Sequence, residues 1–143
     1  MNGKSVDAGL WAGFFSGCVL GLFLLGVQLL TGIRVYTLLT NIDFLPFLLP
    51  AFSSEWSQFL VHLLVSCVIG VIALFLGCGL AWGALPVAFS ISLFAAFLYF
   101  PLTLVSVTTT PAVNDWAAIL FWFSGHVLYA VVLGRLIQKK KTP

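Results

Sequence analysis

The chain has 143 residues, of which 62% are hydrophobic and 7% are charged, whereas a soluble domain carries charge on about a quarter of its residues. With so few polar side chains the chain cannot cover itself with a water-facing surface, so lipid must be the solvent for most of it. The net charge of +2 is too small for a nucleic-acid-binding surface, and nucleic acid is not an expected partner.

Long stretches without Asp, Glu, Lys or Arg mark the membrane spans in chain order. They run from Ala8 to Ile33, from Trp56 to Asn114 and from Trp116 to Gly134. Because one span needs about 20 apolar residues, the middle stretch holds two helices and each flanking stretch holds one. The sequence therefore predicts one all-α domain over 1–143, a bundle of four transmembrane helices. The predicted helices are 8–32, 57–81, 84–107 and 116–137.

The segment between the first two helices, residues 33–56, is long for a loop yet rich in Leu, Phe and Ile, and it contains Pro46 and Pro50. We expect it to lie in the outer interface or to fold back over the mouth of the bundle, with Arg34 and Asp43 among the lipid headgroups. The alternative is a first helix that extends past the membrane.

The distribution of basic residues orients the bundle. Arg135 and three lysines follow the last span, Lys4 precedes the first, and the 33–56 loop has one arginine against two acids. The positive-inside rule then places both termini, including the tail 138–143, in the cytoplasm of a cell-membrane protein. No cleavage site follows the first apolar stretch, which predicts a retained span, and the short Trp82-Gly83 link predicts a tight hairpin between the middle spans.

The second and fourth helices share a pattern. In the second helix, His62 is followed by the small residue Ser66 four positions later and by Gly70 eight positions later. In the fourth helix, His126 is followed at the same spacings by Ala130 and Gly134. These positions lie on one helix face. The pattern favours two helical hairpins arranged as a parallel repeat, although apolar helices also match by composition.

Small residues at helical spacing indicate how the helices associate in lipid, where close backbone approach replaces the hydrophobic effect. Gly13, Gly17 and Gly21 form such a row in the first helix, and Gly70 and Gly134 contribute to rows in the second and fourth. The row is either a seam inside the chain or a seam between two copies. We also expect Pro101 to kink the third helix and to free a carbonyl there.

Five polar side chains inside the spans are candidate functional residues, because intramembrane polar groups are costly. Counted along the helices from the outer surface, Gln28 and His62 lie at similar depths and form one expected pair. Tyr99 and His126 form a second expected pair near the midplane, where Ser66 also lies. Each histidine could be a hydrogen-bonding strut, or it could titrate or contact a ligand.

Motifs for catalysis or metal binding are missing from the sequence. It holds neither HExxH nor GxSxG nor an intramembrane carboxylate pair, and a dyad of Ser66 and His126 rests on depth alone. Cys18, Cys67 and Cys78 lie in apolar stretches and are expected to be packing residues. We therefore expect no enzyme activity, no cofactor and no metal.

Three short motifs in the second half, Trp-Gly-Ala-Leu at 82–85, Phe-Pro-Leu at 100–102 and Gly-His-Val-Leu-Tyr at 125–129, occur in that order. In these motifs the chain resembles the YagU-type family of small bacterial inner-membrane proteins. The resemblance implies a bacterial inner-membrane location and a connection to acid tolerance, without a mechanism.

Two functions follow as expectations. Abundant packing seams favour a non-enzymatic homo-oligomer or an accessory subunit of a membrane complex, with the lipid bilayer and itself or another membrane protein as partners. The alternative is a small transporter or channel for protons or a small solute, which would use the intramembrane histidine layer.

Overall fold

The computed structural model of the protein describes residues 3–43, 54–79 and 83–141, so that Pro46, Pro50, Trp82 and residues 142–143 of the predicted tail lie outside the described residues. Its helices are α1 (Gly3–Thr31), α2 (Val35–Thr40), α3 (Glu55–Gly79), α4 (Ala84–Phe97), α5 (Tyr99–Val105) and α6 (Trp116–Lys141). α1, α3, the pair α4–α5 and α6 each hold a span long and apolar enough to cross a bilayer. The protein is therefore an all-α, four-helix membrane bundle, as composition predicts.

The four spans form a ring. α1 packs against α3 and α6, and α4 packs against the other sides of the same two helices. Because successive spans alternate in direction, the start of α1 and the end of α6 lie at one end of the bundle, which we call the terminal end. The short helix α2 lies at the opposite end, which we call the capped end.

Local sequence signals fix the helix ends. Gly32 follows α1 with a φ of +76°, and its N–H donates to the carbonyl of Gln28 at 2.9 Å, which is the left-handed cap that glycine favours. The first helix thus ends at Thr31 and does not extend further. At the start of α6, the Asp115 carboxylate accepts the Ala118 N–H at 3.1 Å as an N-cap.

The chain folds back over the bundle after α1. In α2, Val35 and Leu38 are fully buried against the core, and α2 packs on α1 and α3. This helix was not predicted from the sequence, since six residues are too few to show a helical period. In the described part of the 33–56 segment, α2 and the residues that follow it up to Asp43 form a cap over the bundle mouth.

Glycines bring α1 and α3 into direct backbone contact. A Cβ at Gly13 would collide with the carbonyl oxygen of Ser66, and one at Gly17 would lie 2.7 Å from the Ser66 hydroxyl. Gly21 meets the ring of Phe59 in the same way, while Gly134 of α6 leaves room for Leu85 of α4. The glycine row of α1 is therefore occupied inside the chain.

The predicted single helix 84–107 is two helices in the structure, α4 and α5, with a break at Leu98. The physical reason is Pro101, which has no N–H to give to the carbonyl of Phe97. Next to it, the Trp122 indole N–H donates to the carbonyl of Ala96 at 2.9 Å. A side chain of α6 thus satisfies the α4 backbone at the break.

The outer surface of the bundle is apolar. Trp56 and Trp116, in the first turns of α3 and α6, are 81% and 80% exposed at the capped end. Tryptophans at such positions are typical of the membrane–water interface. The rest of the exposed surface includes many Leu, Phe and Val side chains, which contact the lipid.

Candidate functional site

A cavity of about 200 Å³ lies between α3 and α4–α5. Residues 39–42 form its roof at the capped end, and α6 together with Leu20 of α1 forms its back wall. We call it the α3–α4 cavity. Its lining is mainly apolar, with a polar layer near the middle of the bundle made by His62, Ser66, Trp122, His126 and Tyr129.

The cavity exists because the helix ring is uneven. α1 packs along α6, whereas α3 and α4 are in contact over a shorter length. Near the terminal end they are close, since a Cβ at Gly77 would lie 3.1 Å from the Cα of Ala84. Toward the capped end they separate, and the break at Leu98 lies on the cavity wall.

Three helices are joined by a hydrogen-bond chain through Ser66. The Ser66 hydroxyl donates to the carbonyl of Gly13 in α1 at 2.7 Å. Its oxygen lies 3.0 Å from the Tyr129 hydroxyl of α6, and because the Ser66 hydrogen is already given, Tyr129 is the donor. Ser66 is 2% exposed, so this chain holds α1, α3 and α6 at one depth.

His126 lies at the centre of the site with 5% of its surface exposed. Its Nδ1 is 2.9 Å from the carbonyl of Trp122, one turn earlier in α6, and the two rings lie 4.7 Å apart. The Ser92 hydroxyl of α4 donates to the backbone carbonyl of His126. His126 also lines a second cavity of about 180 Å³, between α4 and α6, that opens on the lipid-facing side.

His62 lies nearer the capped end on the α3 wall. Its Nε2 is 3.2 Å from the carbonyl of Gly17, so the imidazole bridges α3 to the glycine row of α1. The ring stacks on Phe59 with centroids 5.8 Å apart. Both histidines therefore use one ring nitrogen to bind a backbone carbonyl.

The five polar residues predicted from depth divide into two groups. His62, Ser66 and His126 line the α3–α4 cavity together. Gln28 instead hydrogen-bonds through its side chain to Thr37 of α2, and the Tyr99 hydroxyl donates to the carbonyl of Ala112 at 2.8 Å. Equal depth does not pair these two with the histidines, because Gln28 is bonded to α2 and Tyr99 to the loop before α6.

Two cavity residues, Trp122 and Tyr129, were not among the five intramembrane polar residues predicted from the sequence. They precede and follow His126 by four and three positions, so they share its helix face. This spacing is the sequence signal that could have identified them as part of the site. Tyr129 did appear in the sequence analysis, as the last residue of the Gly-His-Val-Leu-Tyr motif.

The cap is held to the loop after α5 by polar contacts. The Asp43 carboxylate accepts the N–H groups of Val107 and Thr108 at 3.1 and 2.7 Å, and the Asn41 amide donates to the Ser106 hydroxyl. Burial by itself would raise the pKa of Asp43, but hydrogen bonds led by those from Thr108 stabilise the carboxylate and lower its pKa below the ordinary value. Arg34 reaches the Thr109 carbonyl at 3.5 Å.

The site offers little for metal or nucleophilic chemistry. Across residues 3–43, 54–79 and 83–141, no three His, Cys, Asp or Glu side chains lie close enough to hold a metal ion. Ser66 gives its hydrogen to Gly13 and His126 directs Nδ1 at Trp122, so neither group activates the other through these bonds. Cys18 and Cys67 are free thiols, each half-buried.

No family model, curated protein or solved structure matches the chain. The resemblance to the YagU-type family stays a prediction.

Proposed function

We propose that the chain is a non-enzymatic, multi-pass protein of the cell membrane that binds a small, weakly polar solute in the α3–α4 cavity. The observation that carries this proposal is a cavity of about 200 Å³ with a polar layer inside an otherwise apolar bundle. An apolar protein cavity of roughly 150 Å³ holds a molecule the size of benzene, so the space suffices for a single-ring compound. Small-molecule sites are typically apolar with a few well-placed polar groups, and they occur between the helices of bundles.

The position of the cavity supports a role in solute passage. It reaches from the roof at residues 39–42 to the level of Ile69 and Tyr129, near the middle of the bundle. Below that level α3 and α4 close together at Gly77 and Ala84. A site near the midplane that is closed toward one end is what a carrier requires in one of its states, so solute binding is the first step of the transport alternative.

Charge supports an orientation with the capped end outside. Arg135 and Lys139 are exposed on the last turns of α6 at the terminal end, where the chain also carries Lys4, Lys140 and Lys141. Basic residues flanking spans favour the cytoplasmic side. We therefore propose that both termini are cytoplasmic and that solute enters from the opposite side or from the outer lipid leaflet.

Association with a second copy, or with another membrane protein, also stays a prediction. The seam first considered for a second copy is the glycine row at Gly13, Gly17 and Gly21, and α3 occupies that row within one chain. A partner would have to use another face of the bundle. The cavity, by contrast, is lined by side chains of the single chain and needs no partner for its walls.

Filling the cavity tests the proposal. In protein purified in lipid nanodiscs, Ala95→Phe should lower the affinity for toluene, measured by NMR, by about tenfold or more because the added ring occupies the cavity. Ala117→Phe is the matched control, since Ala117 is exposed on the lipid side of α6. Equal toluene binding by the native protein and Ala95→Phe would contradict cavity binding.

A further inference from the structure

The polar layer of the α3–α4 cavity has an unusual hydrogen-bond balance, because its hydroxyl and indole donors are already used. Tyr129 donates to Ser66, and Ser66 donates to the carbonyl of Gly13. The Trp122 indole N–H donates to Ala96. Indole has no acceptor, but the Tyr129 oxygen keeps a lone pair that no donor in the described structure occupies.

The two histidines add to the same imbalance. A carbonyl oxygen only accepts, so His126 must carry its hydrogen on Nδ1 to bond Trp122, and His62 must carry its hydrogen on Nε2 to bond Gly17. A neutral imidazole has one N–H, which leaves a lone pair on Nε2 of His126 and on Nδ1 of His62. Neither of these nitrogens is a buried atom without a partner, so each has some accessible surface, and both histidines line the α3–α4 cavity.

The charge of the cavity wall is the second constraint on the molecule that occupies the cavity. Among the described residues, none that lines the cavity carries a formal charge. An anion would meet lone pairs and no cation, while an ammonium group would find no carboxylate to compensate its desolvation. Gln58 lies in the first turn of α3, one turn closer to the capped end than His62, and is not part of the middle layer.

We propose that the solute bound in the α3–α4 cavity is a neutral molecule with a compact apolar body and one hydrogen-bond donor, a hydroxyl or an N–H, whose hydrogen is accepted by the free ring nitrogen of His126 or of His62. This inference rests on the proposed function, since it specifies the chemistry of the same cavity. The middle layer accepts hydrogen bonds and most of the remaining wall is apolar, with Thr40, Asn41 and Gln58 toward the capped end, so the site selects donors over acceptors and over ions.

Three probes of similar size test this selection on the native protein in nanodiscs. Phenol carries a donor, toluene has a methyl group in the same place, and benzoate is an anion. With concentrations referred to the lipid phase, we expect phenol to bind about five- to tenfold more tightly than toluene, which is the net value of one hydrogen bond, and benzoate not to compete.

The variant His126→Leu should remove most of the preference for phenol while toluene binding persists, and His62→Leu should remove a part. If His126→Leu does not fold, as judged by circular dichroism, the comparison of the three probes on the native protein still decides. Equal affinities for phenol and toluene, or preferential binding of benzoate, would overturn the inference and leave cavity binding intact. Failure of all three probes to bind would overturn both proposals.

Discussion

Gly13 and Gly70 lie backbone against backbone, so that a Cβ added to Gly70 would fall 2.7 Å from the Cα of Gly13. Contacts this close give helices in lipid their attraction, because burial of apolar side chains gains little there. The seam also positions the site, since Ser66 and His62 both bond to carbonyls of the α1 glycine row.

A methyl group in this seam should therefore destabilise the bundle. We expect Gly13→Ala to lower the free energy of unfolding by about 1–3 kcal/mol, because the new Cβ meets the carbonyl of Ser66, which is backbone and cannot turn aside. Thermal unfolding in a mild detergent measures the loss.

Gly26 supplies the matched control on the same helix. A Cβ at Gly26 would find no atom within 4 Å, so Gly26→Ala should be neutral or slightly stabilising, by up to about 1 kcal/mol. Similar losses for both variants would contradict the assignment of the seam.

Hydrophobicity and charge predicted the bundle, because a chain almost without ionic side chains has few alternatives in a bilayer. The start of α4 at Ala84 and the start of α6 at Trp116 agree with the predicted boundaries. The depth of a residue in the membrane, however, does not tell which way its side chain points around the helix axis. Gln28 and Tyr99 lie at suitable heights, but Gln28 is bonded to α2 and Tyr99 to the loop before α6, while Tyr129, on the same helix face as His126, completes the polar layer.

The cap was the least predictable part, for a different reason. The cap owes its position to tertiary contacts, such as those of Asp43, just after α2, with residues 107 and 108, more than 60 residues away in sequence. No local period encodes such contacts. The separation of α3 from α4 is equally non-local, because it depends on how all four helices share the space around the glycine seam.

The hydrogen bond between Tyr129 and Ser66 should couple the stabilities of α6 and α3. Tyr129→Phe leaves the bond from Ser66 to Gly13 in place, whereas Ser66→Ala removes both bonds, so Ser66→Ala should cost more. For intramembrane side-chain bonds we expect losses of about 0.5–1.5 kcal/mol. A double-mutant cycle of the unfolding free energies should show a favourable coupling, and strictly additive losses would mean that the two hydroxyls do not interact.

The lowered pKa of Asp43 predicts a pH dependence of the cap. Because the folded pKa lies below the ordinary value of 3.8, the stabilisation is fully present above that value and is lost as the pH falls through the folded pKa. Melting curves between pH 5 and pH 2.5 should therefore show an acid-induced loss that Asp43→Asn reduces. Asp7→Asn, at an exposed position of α1, should leave the loss unchanged, and an identical acid response in all three proteins would refute the role of Asp43.

The orientation proposed from charge can be tested on intact cells. Reporters that become active only in the cytoplasm should be active at both termini, because four spans return the chain to its starting side. A cysteine introduced by Thr109→Cys, in the exposed loop after α5, should react with a membrane-impermeant maleimide from outside. Cys18 and Cys67 lie within spans and should react little in the parent chain, which serves as the control. Reporters active at one terminus only would contradict the four-span topology, and protection of Thr109→Cys with both reporters inactive would reverse the orientation.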